Sequence, residues 1–431
     1  MTQKSLYRMP KETTPPAASR NELILFWGLL ALGLALRLIW VAFVPMEPVS
    51  DSAAYATFAQ NIVAYGVYGW GPDEPSAYWP VGPAAIAALS LWLLGDLAPG
   101  VIVANLISGM LSLVLVYRLG VIWFDRRVAL MALAIMAIWP NLILFTTVLA
   151  SELHFIALTL LGLWLWERRS AGWSSLVLCG LAWGAACYMR PVVLLVPVVM
   201  VLAMLPGGLW ATARAAGRAV LVTVVMLATV LPWSVRNHQV FGEFVLMSTN
   251  FGPNLWMGHN PDSTGGYMPL PPWVAGMSET ERAEVLGNAA REFIREDPLR
   301  FAVRTAVKLV RLHERETIGV HWNRPALERM VGDTGFTALR LLSTGYWTVV
   351  LLAALAGIVL LLRREPLQGL VAPVLLLWGY FALLHAVTVI QDRYHMPSVP
   401  FIALLAALAL LALWDRRHRA AEGPGHTADV V

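Results

Sequence analysis

The chain has 431 residues, 58% of them hydrophobic and only 13% charged, with a mean hydropathy of +0.64. Soluble domains carry about 25% charged residues, so this composition excludes a water-soluble globular enzyme and a disordered chain alike. Nineteen Trp residues suit bilayer interfaces, where indole rings settle at headgroup depth. A net charge of +4, scattered along the chain, gives nucleic acid no target. The composition is that of an all-α polytopic membrane protein.

Residues 1–22 are polar and carry Lys4, Arg8, Lys11 and Arg20. The apolar run 23–44 follows, long enough to cross a bilayer. No small-residue cleavage site follows it, so it reads as a signal anchor with a cytoplasmic N-terminus. Further apolar runs at 101–124, 128–150, 153–166, 173–189, 192–205, 219–235, 336–362, 367–390 and 396–414 bring the count to ten. If all ten cross, five basic knots share the cytoplasmic side with both termini: Arg126-Arg127, Arg168-Arg169, Arg214 with Arg218, Arg363-Arg364, and Arg416-Arg417 with Arg419. The stretch 77–95 is left out, because Pro80 and Pro83 interrupt its start. It predicts a half-inserted or interfacial outer helix. Cys179 and Cys187 stand eight residues apart in one run, about 12 Å on a helix, beyond disulfide reach.

The chain divides accordingly. A cytoplasmic tail (1–22) precedes an N-terminal transmembrane module (23–235), whose first outer loop (45–100) is the expected catalytic loop. A long outer loop with interfacial helices (236–335), C-terminal transmembrane helices (336–414) and a second cytoplasmic tail (415–431) complete it.

The outer face concentrates the chemistry. In the first loop, Tyr55, Phe58, Ala59 and Ile62 recur at helical spacing, and Asp51 opens that helix, where an N-cap role alone would account for it. Glu152 breaks two apolar runs at the outer boundary, a depth where a carboxylate is costly and usually paired or functional. Arg190, Arg236 and Arg393 lie at the same face, and guanidinium groups grip phosphate bidentately. Arg37 fits a side chain snorkelling to headgroups. In the long loop, Ser278-Glu279-Thr280-Glu281 is a capping box for a helix through Glu296, and Pro298 starts a second, basic interfacial helix. Residues 254–267 read as a turn-rich loop over a cleft. No Walker A, dinucleotide or His-Glu-x-x-His motif occurs, so an enzyme acting at that face needs a substrate that arrives already activated in the membrane.

Several short motifs then stand in a telling order: Ser50-Asp51 with Tyr55, Trp79-Pro80-Val81-Gly82-Pro83, Ser151-Glu152, Arg190-Pro191, Pro232-Trp233-Ser234-Val235-Arg236-Asn237, the 254–267 loop, and Arg393-Tyr394-His395-Met396-Pro397. Together they resemble the GT-C superfamily of lipid-phosphate-sugar glycosyltransferases. The likeness is in particular to bacterial glycosyltransferase family 39-like proteins, related to the protein O-mannosyltransferases and the lipid A aminoarabinose transferase.

The resemblance implies a GT-C fold of about ten transmembrane helices with outer juxtamembrane helices. It also implies transfer of a sugar from a polyprenyl-phosphate donor to a lipid, glycan or protein acceptor at the periplasmic face of a bacterial inner membrane. Asp51 and Glu152 match the family's acids and would be catalytic: Asp51 would accept the acceptor's proton or stabilise the oxocarbenium-like sugar, and Glu152 would position the acceptor or assist as a second base. Many members have Asp-Glu where this chain has Asp51-Ser52. Arg190, Arg236 and Arg393 would hold the lipid phosphate. Tyr55, Trp79, His154, Asn254, His259, Tyr394 and His395, in or beside the motifs, would line the substrate pocket. No soluble cofactor is required, and a divalent metal stays open.

Two rivals remain from other classes. A transporter or lipid flippase places ionisable groups near the midplane and uses repeats or broken helices; here the groups cluster at one boundary, and only His385 lies well inside an outer half-span. A membrane scaffold gives no reason for acids and arginines to converge on one face.

Overall fold

The structure is a computed structural model describing residues 18–168 and 172–421. Residues 1–17 and 422–431 of the two tails, Arg169 and the Arg419 side chain lie outside that description. In lipid the backbone must satisfy itself, which favours helices. Regular structure among the described residues is helical apart from one two-stranded hairpin.

Helix α1 (Arg20–Phe43) opens on a capping box, in which the Ser19 hydroxyl accepts from the Glu22 N–H and the Glu22 carboxylate accepts from the Ser19 N–H. Next come α2 (Asp51–Tyr65), the hairpin of β1 (Gly69–Gly71) and β2 (Glu74–Pro75), and α3 (Gly82–Leu94). At 13 residues, α3 is about 20 Å long, too short to cross. Helix α4 (Ala98–Trp123) is a full span. The run 128–150 is not one straight helix. Helix α5 (Arg126–Ala137) ends because Pro140 lacks an N–H and holds Trp139 extended, so α6 (Pro140–Leu144) and the turn through Thr147 bend away by 57°.

Helices α7 (Glu152–Glu167) and α8 (Gly172–Met189) follow. Pro191, Pro197 and Pro206 interrupt the next run and leave only the short α9 (Val196–Leu202). Helix α10 (Leu209–Phe241) is longer than its apolar stretch and carries Arg214 and Arg218 at its start and Arg236 near its end. The long loop builds α11 (Phe251–His259), α12 (Glu279–Glu296), α13 (Pro298–Arg311) and α14 (Ile318–Trp322). Ser278 caps α12 by accepting from the Glu281 N–H at 3.2 Å, which is one half of the expected capping box. Helix α15 (Arg324–Arg364) is broken at Gly332, whose φ of 62° a side chain would resist. Short α16 (Pro366–Leu370), α17 (Pro373–Val387) and α18 (Val399–Ala421) end the fold.

Seven of the described helices are long and apolar enough to cross a membrane, or eight with the bent pair counted as one span. The ten predicted runs also include α7, 16 residues and enclosed between α4 and α8, and the proline-broken 192–205 segment. The bundle has two halves: α4, α7, α8 and α10 pack as successive neighbours, and α18 is wedged between α5 and α15. A Cβ at Gly357 would collide with the Leu405 carbonyl, so only glycine lets α15 and α18 approach so closely.

The polar contacts define two ends. At one, Arg127 pairs with Asp415 at 2.6 Å, the Trp123 indole donates to Glu167 at 3.1 Å, and Arg218 donates to the Trp166 carbonyl. These contacts tie the α4–α5 turn, the end of α7, the start of α10 and the end of α18 together. Trp347 stacks on His395 near the other end, and from there α15 descends 17 residues to Arg364, about 25 Å. All five basic knots therefore share one end through their described residues.

Candidate active site

Four chain reversals meet at the opposite end. Asp51 is the first residue of α2, Glu152 the first of α7, Arg190 the residue after α8, and Arg393 lies in the tight turn between α17 and α18. Local bonds fix each of them. The Asn105 amide donates to the Phe145, Thr146 and Val148 carbonyls, which shapes the approach to Glu152. Ser52 donates to the Leu149 carbonyl at 2.7 Å and so ties α2 to that approach. Pro191 holds Arg190 in extended backbone, which ends α8. Turn bonds Tyr394 N–H to Gln391 O (3.0 Å) and Met396 N–H to Arg393 O (3.1 Å) shape the last reversal.

Arg393 joins the two acids. Its Nη2 donates to Asp51 Oδ2, its Nη1 reaches Glu152 Oε1 at 3.4 Å, and its Nε donates to Gln391 at 2.8 Å. Arg190 Nη2 reaches the same Glu152 oxygen at 3.3 Å. Trp322 lies under the Arg393 guanidinium at 4.5 Å, and Tyr394 lies under that of Arg190 at 5.1 Å. Side-chain exposure falls from 23% at Asp51 to 12% at Arg190, 6% at Arg393 and 0% at Glu152. Asp51 is thus the acid that an approaching molecule meets, and Glu152 is sealed behind it. Burial works against the charge of Arg393, but the Asp51 and Glu152 carboxylates outweigh it and hold the pKa above its ordinary value. Arg190 Nη1 is buried with no acceptor among the described residues. Asp51 does not cap its helix; Ser50 stands before it with φ 52° and ψ −128°, the one described non-glycine residue at positive φ.

The other sequence candidates separate into groups. Tyr55 is buried beside the cluster; burial and the nearby Asp51 push its phenol up. Trp79 stands edge-on to Tyr55 at 6.3 Å, within an aromatic wall that includes Phe58, Trp70 and Tyr78. His154, two residues into α7 from Glu152, is bonded to Ser108 at 2.8 Å. Tyr394 packs on both arginines.

Four expectations are corrected. Arg236 stands apart from the ion cluster and donates to the Ser76 and Tyr68 carbonyls at 2.8 and 3.0 Å, so it braces the first loop. His395 points into the interior, its ring nitrogens 3.1 Å from the Leu312 carbonyl and 3.0 Å from Glu316. His259 faces the end of α17, 2.7 Å from the Val387 carbonyl and 3.0 Å from Lys308 Nζ. Residues 254–259, including Asn254, are helix rather than open loop, because Leu255, Trp256 and Met257 bury against Leu286 and Ala290 of α12.

Sequence reasoning passed over the residues that hold these reversals. Glu279 accepts from Ser76 Oγ, the Ala77 N–H and Thr249 Oγ1 at 2.7–2.8 Å, joining the two loops. Asp392 accepts from the Thr317 N–H and hydroxyl, and Glu316 from the Trp139 indole and His395. An acid within an interfacial capping box and acids beside Arg or Thr were visible, but their partners are up to 203 residues distant. Among the described residues no three His, Cys, Asp or Glu side chains gather as a metal site; the partners of the two acids here are arginines.

Residues 78–235 match the dolichyl-phosphate-mannose-protein mannosyltransferase family. No curated protein sequence matches the chain. Among solved structures, it is similar to the archaeal oligosaccharyltransferase AglB from Archaeoglobus fulgidus in complex with an inhibitory peptide and a dolichol-phosphate. That match has a TM-score of 0.58 at 13% identity, over 96% of this chain and 53% of the other. The apo oligosaccharyltransferase of Archaeoglobus fulgidus matches at 0.56 and 14%, over 95% and 52%. ArnT from Cupriavidus metallidurans bound to undecaprenyl phosphate matches at 0.44 and 16%, over 94% and 80%. The chain spans about half the length of the oligosaccharyltransferase chains that it matches. It has the GT-C fold of multi-pass membrane glycosyltransferases, and its residues 78–235 carry the mannosyltransferase family pattern.

Proposed function

We propose that this chain is a membrane glycosyltransferase that moves a sugar from a polyprenyl-phosphate donor to a hydroxyl-bearing acceptor. The acidic end would face the periplasm of a bacterial inner membrane, with the basic end cytoplasmic, as the placement of the Arg knots favours. The observation that carries the reading is the four-residue ion cluster: two carboxylates on two guanidinium groups, one of which keeps a buried N–H without an acceptor among the described residues.

Each member has a role that follows from its exposure. Arg190 and Arg393 take the donor phosphate, and its oxygens supply the acceptor that Arg190 Nη1 lacks. The phosphate competes with Asp51 for Arg393 and so frees a carboxylate oxygen at the accessible edge. Asp51 then accepts the acceptor's O–H proton as that oxygen bonds to the anomeric carbon. The bond from that carbon to the phosphate oxygen breaks, and the electron pair leaves on polyprenyl phosphate, whose growing charge the two arginines stabilise. Glu152, sealed behind, does not reach the acceptor; it holds both guanidinium groups in place. The Tyr55–Trp79 wall offers ring faces for a sugar.

The test is transfer by the purified full chain in nanodiscs, with a radiolabelled polyprenyl-phosphate sugar and a panel of envelope lipid and glycan acceptors. Wild type should form a labelled glycoside and release polyprenyl phosphate, and Asp51→Asn should do neither while remaining folded. Normal turnover by that variant would remove Asp51 from the mechanism.

A further inference from the structure

We propose that a recess at the basic end of the bundle, opposite Asp51, binds the headgroup of an anionic phospholipid. The recess, of about 420 Å³, lies between α1 and α4 and reaches α5 and α7. Its walls are Phe26, Trp27, Tyr117 and Trp164, and its charged lining is Arg118 and Arg126. Phe26 and Tyr117 pack at 4.6 Å, so the apolar wall is built rather than accidental. A third guanidinium, that of Arg168, lies over the Trp164 ring at 4.8 Å.

Arg118 is the telling residue. It sits within the apolar run of α4, more than a turn before that helix ends at Trp123, and has no hydrogen bond or ion pair among the described residues. A cation on a membrane-spanning helix is costly unless paired. Of the acids nearby, Glu22 sits in the Ser19 capping box and feels the charge of Arg126, Asp125 accepts from the Val128 N–H, and Asp415 pairs with Arg127. Among the described residues none of them bonds to Arg118. Exposed Leu23 and Trp27 at its mouth give acyl chains an apolar bed. Basic pockets between transmembrane helices, with aromatic residues at headgroup depth, suit a lipid phosphate. A free phosphate would make no use of the aromatic walls. The site is independent of the transfer reaction and stands whether or not that reaction is found.

The experiment reconstitutes the full chain in phosphatidylcholine nanodiscs containing 20% phosphatidylglycerol (about one lipid in five being anionic) and measures retained lipid by native mass spectrometry after release. Wild type should retain phosphatidylglycerol over phosphatidylcholine. Arg118→Gln should lower that retention by roughly fivefold, the equivalent of about 1 kcal/mol for one Arg near an anionic lipid. Arg118→Lys, which keeps the charge, should hold most of it and so separates the effect from misfolding. Arg363→Gln with Arg364→Gln, at the same end but away from the recess, should change nothing. Equal retention of both lipids, an unchanged Arg118→Gln, or equal loss in the control pair would overturn the proposal. So would displacement by inorganic phosphate alone, or retention seen only after residues 1–17 are deleted, which would make the chain's own N-terminus the occupant.

Discussion

Exchanging Glu152 and Asp51 separately for their amides should distinguish the residue that holds the site from the one that reacts. Glu152 is sealed from solvent and meets guanidinium groups at 3.3 and 3.4 Å. At an effective dielectric of about 20, one such contact is worth roughly 5 kcal/mol before desolvation is charged against it. Glu152→Gln leaves Arg190 without its acidic partner and Arg393 with Asp51 alone, and breaking a buried ion pair from one side costs about 3–5 kcal/mol. Asp51 is partly exposed and has one cationic partner, so Asp51→Asn should cost about 1 kcal/mol or less. In nanodiscs, thermal unfolding should then show a large drop for Glu152→Gln and a small one for Asp51→Asn. Sugar transfer should be lost by about 10²–10⁴-fold in the Asp51 variant, the range of a missing general base. The division of roles fails if Glu152→Gln unfolds like wild type, or if the Asp51 variant is the less stable of the two.

Three further outcomes are expected. Ser50 holds a conformation natural to glycine, which costs about 1–3 kcal/mol; Ser50→Gly returns part of that in chain entropy, about 0.5–1 kcal/mol. That variant should be more stable by about 1 kcal/mol and melt at a higher temperature while transfer slows, because α2 then no longer fixes the aim of Asp51; a lower melting point refutes the strain. Glu279→Gln should lose about 1.5–3 kcal/mol of charge-assisted bonding and speed protease cleavage in the hairpin at residues 69–75, read on a gel; an unchanged cleavage rate would show that the loops are held elsewhere. Burial, then Arg304, pushes Lys308 down to about 7, and burial, then Lys308, pushes His259 down to about 4. Both groups bind protons more tightly when the long loop unfolds, so the loop gains stability as pH rises from 4 to 6.5 through His259 and from 7 to 10.5 through Lys308. Hydrogen exchange of α11, corrected for intrinsic rate, should show growing protection across both windows, and Lys308→Met should flatten the upper one.

The helical spans and the shared basic end were legible because each depends on composition along a short stretch. Charge beside an apolar run suffices for that. Breaks within runs were legible only in part: Pro140 and Pro197 stand in plain view, but an apolar window of twenty residues averages over them, so 128–150 and 192–205 looked like spans. Asp51, Glu152, Arg190 and Arg393 were legible as charges placed where charges are costly. Arg236 satisfied the same rule and yet turned to backbone carbonyls of the first loop. Depth alone does not tell a guanidinium that awaits a ligand from one that braces a loop; the acceptors within reach decide it, and those lie some 160 residues away in sequence. His259 and His395 were misplaced for the same reason: a histidine in a polar motif looks like a ligand until its partners are known.

The grip on Arg393 from the long loop gives that loop a role beyond covering the site. Thr317 holds Asp392, Trp322 supports the Arg393 guanidinium, and Glu316 holds His395, so three side chains from residues 316–322 act on a segment of four. Lys308 adds a fourth hold one step earlier. Its amine donates to the Gly258 and Thr388 carbonyls and lies 3.0 Å from His259 Nε2, which is itself 2.7 Å from the Val387 carbonyl, so the pair pins the end of α17. The guanidinium that meets both acids is therefore set by the loop rather than by the bundle. Loosening residues 308–322 should impair Arg393 without touching Asp51 or Glu152, whereas the same loosening at α3 should leave the ion cluster whole. Because exposure is greatest at Asp51, the proposed transfer would have its acceptor enter on that side, beside the aromatic wall of Tyr55 and Trp79.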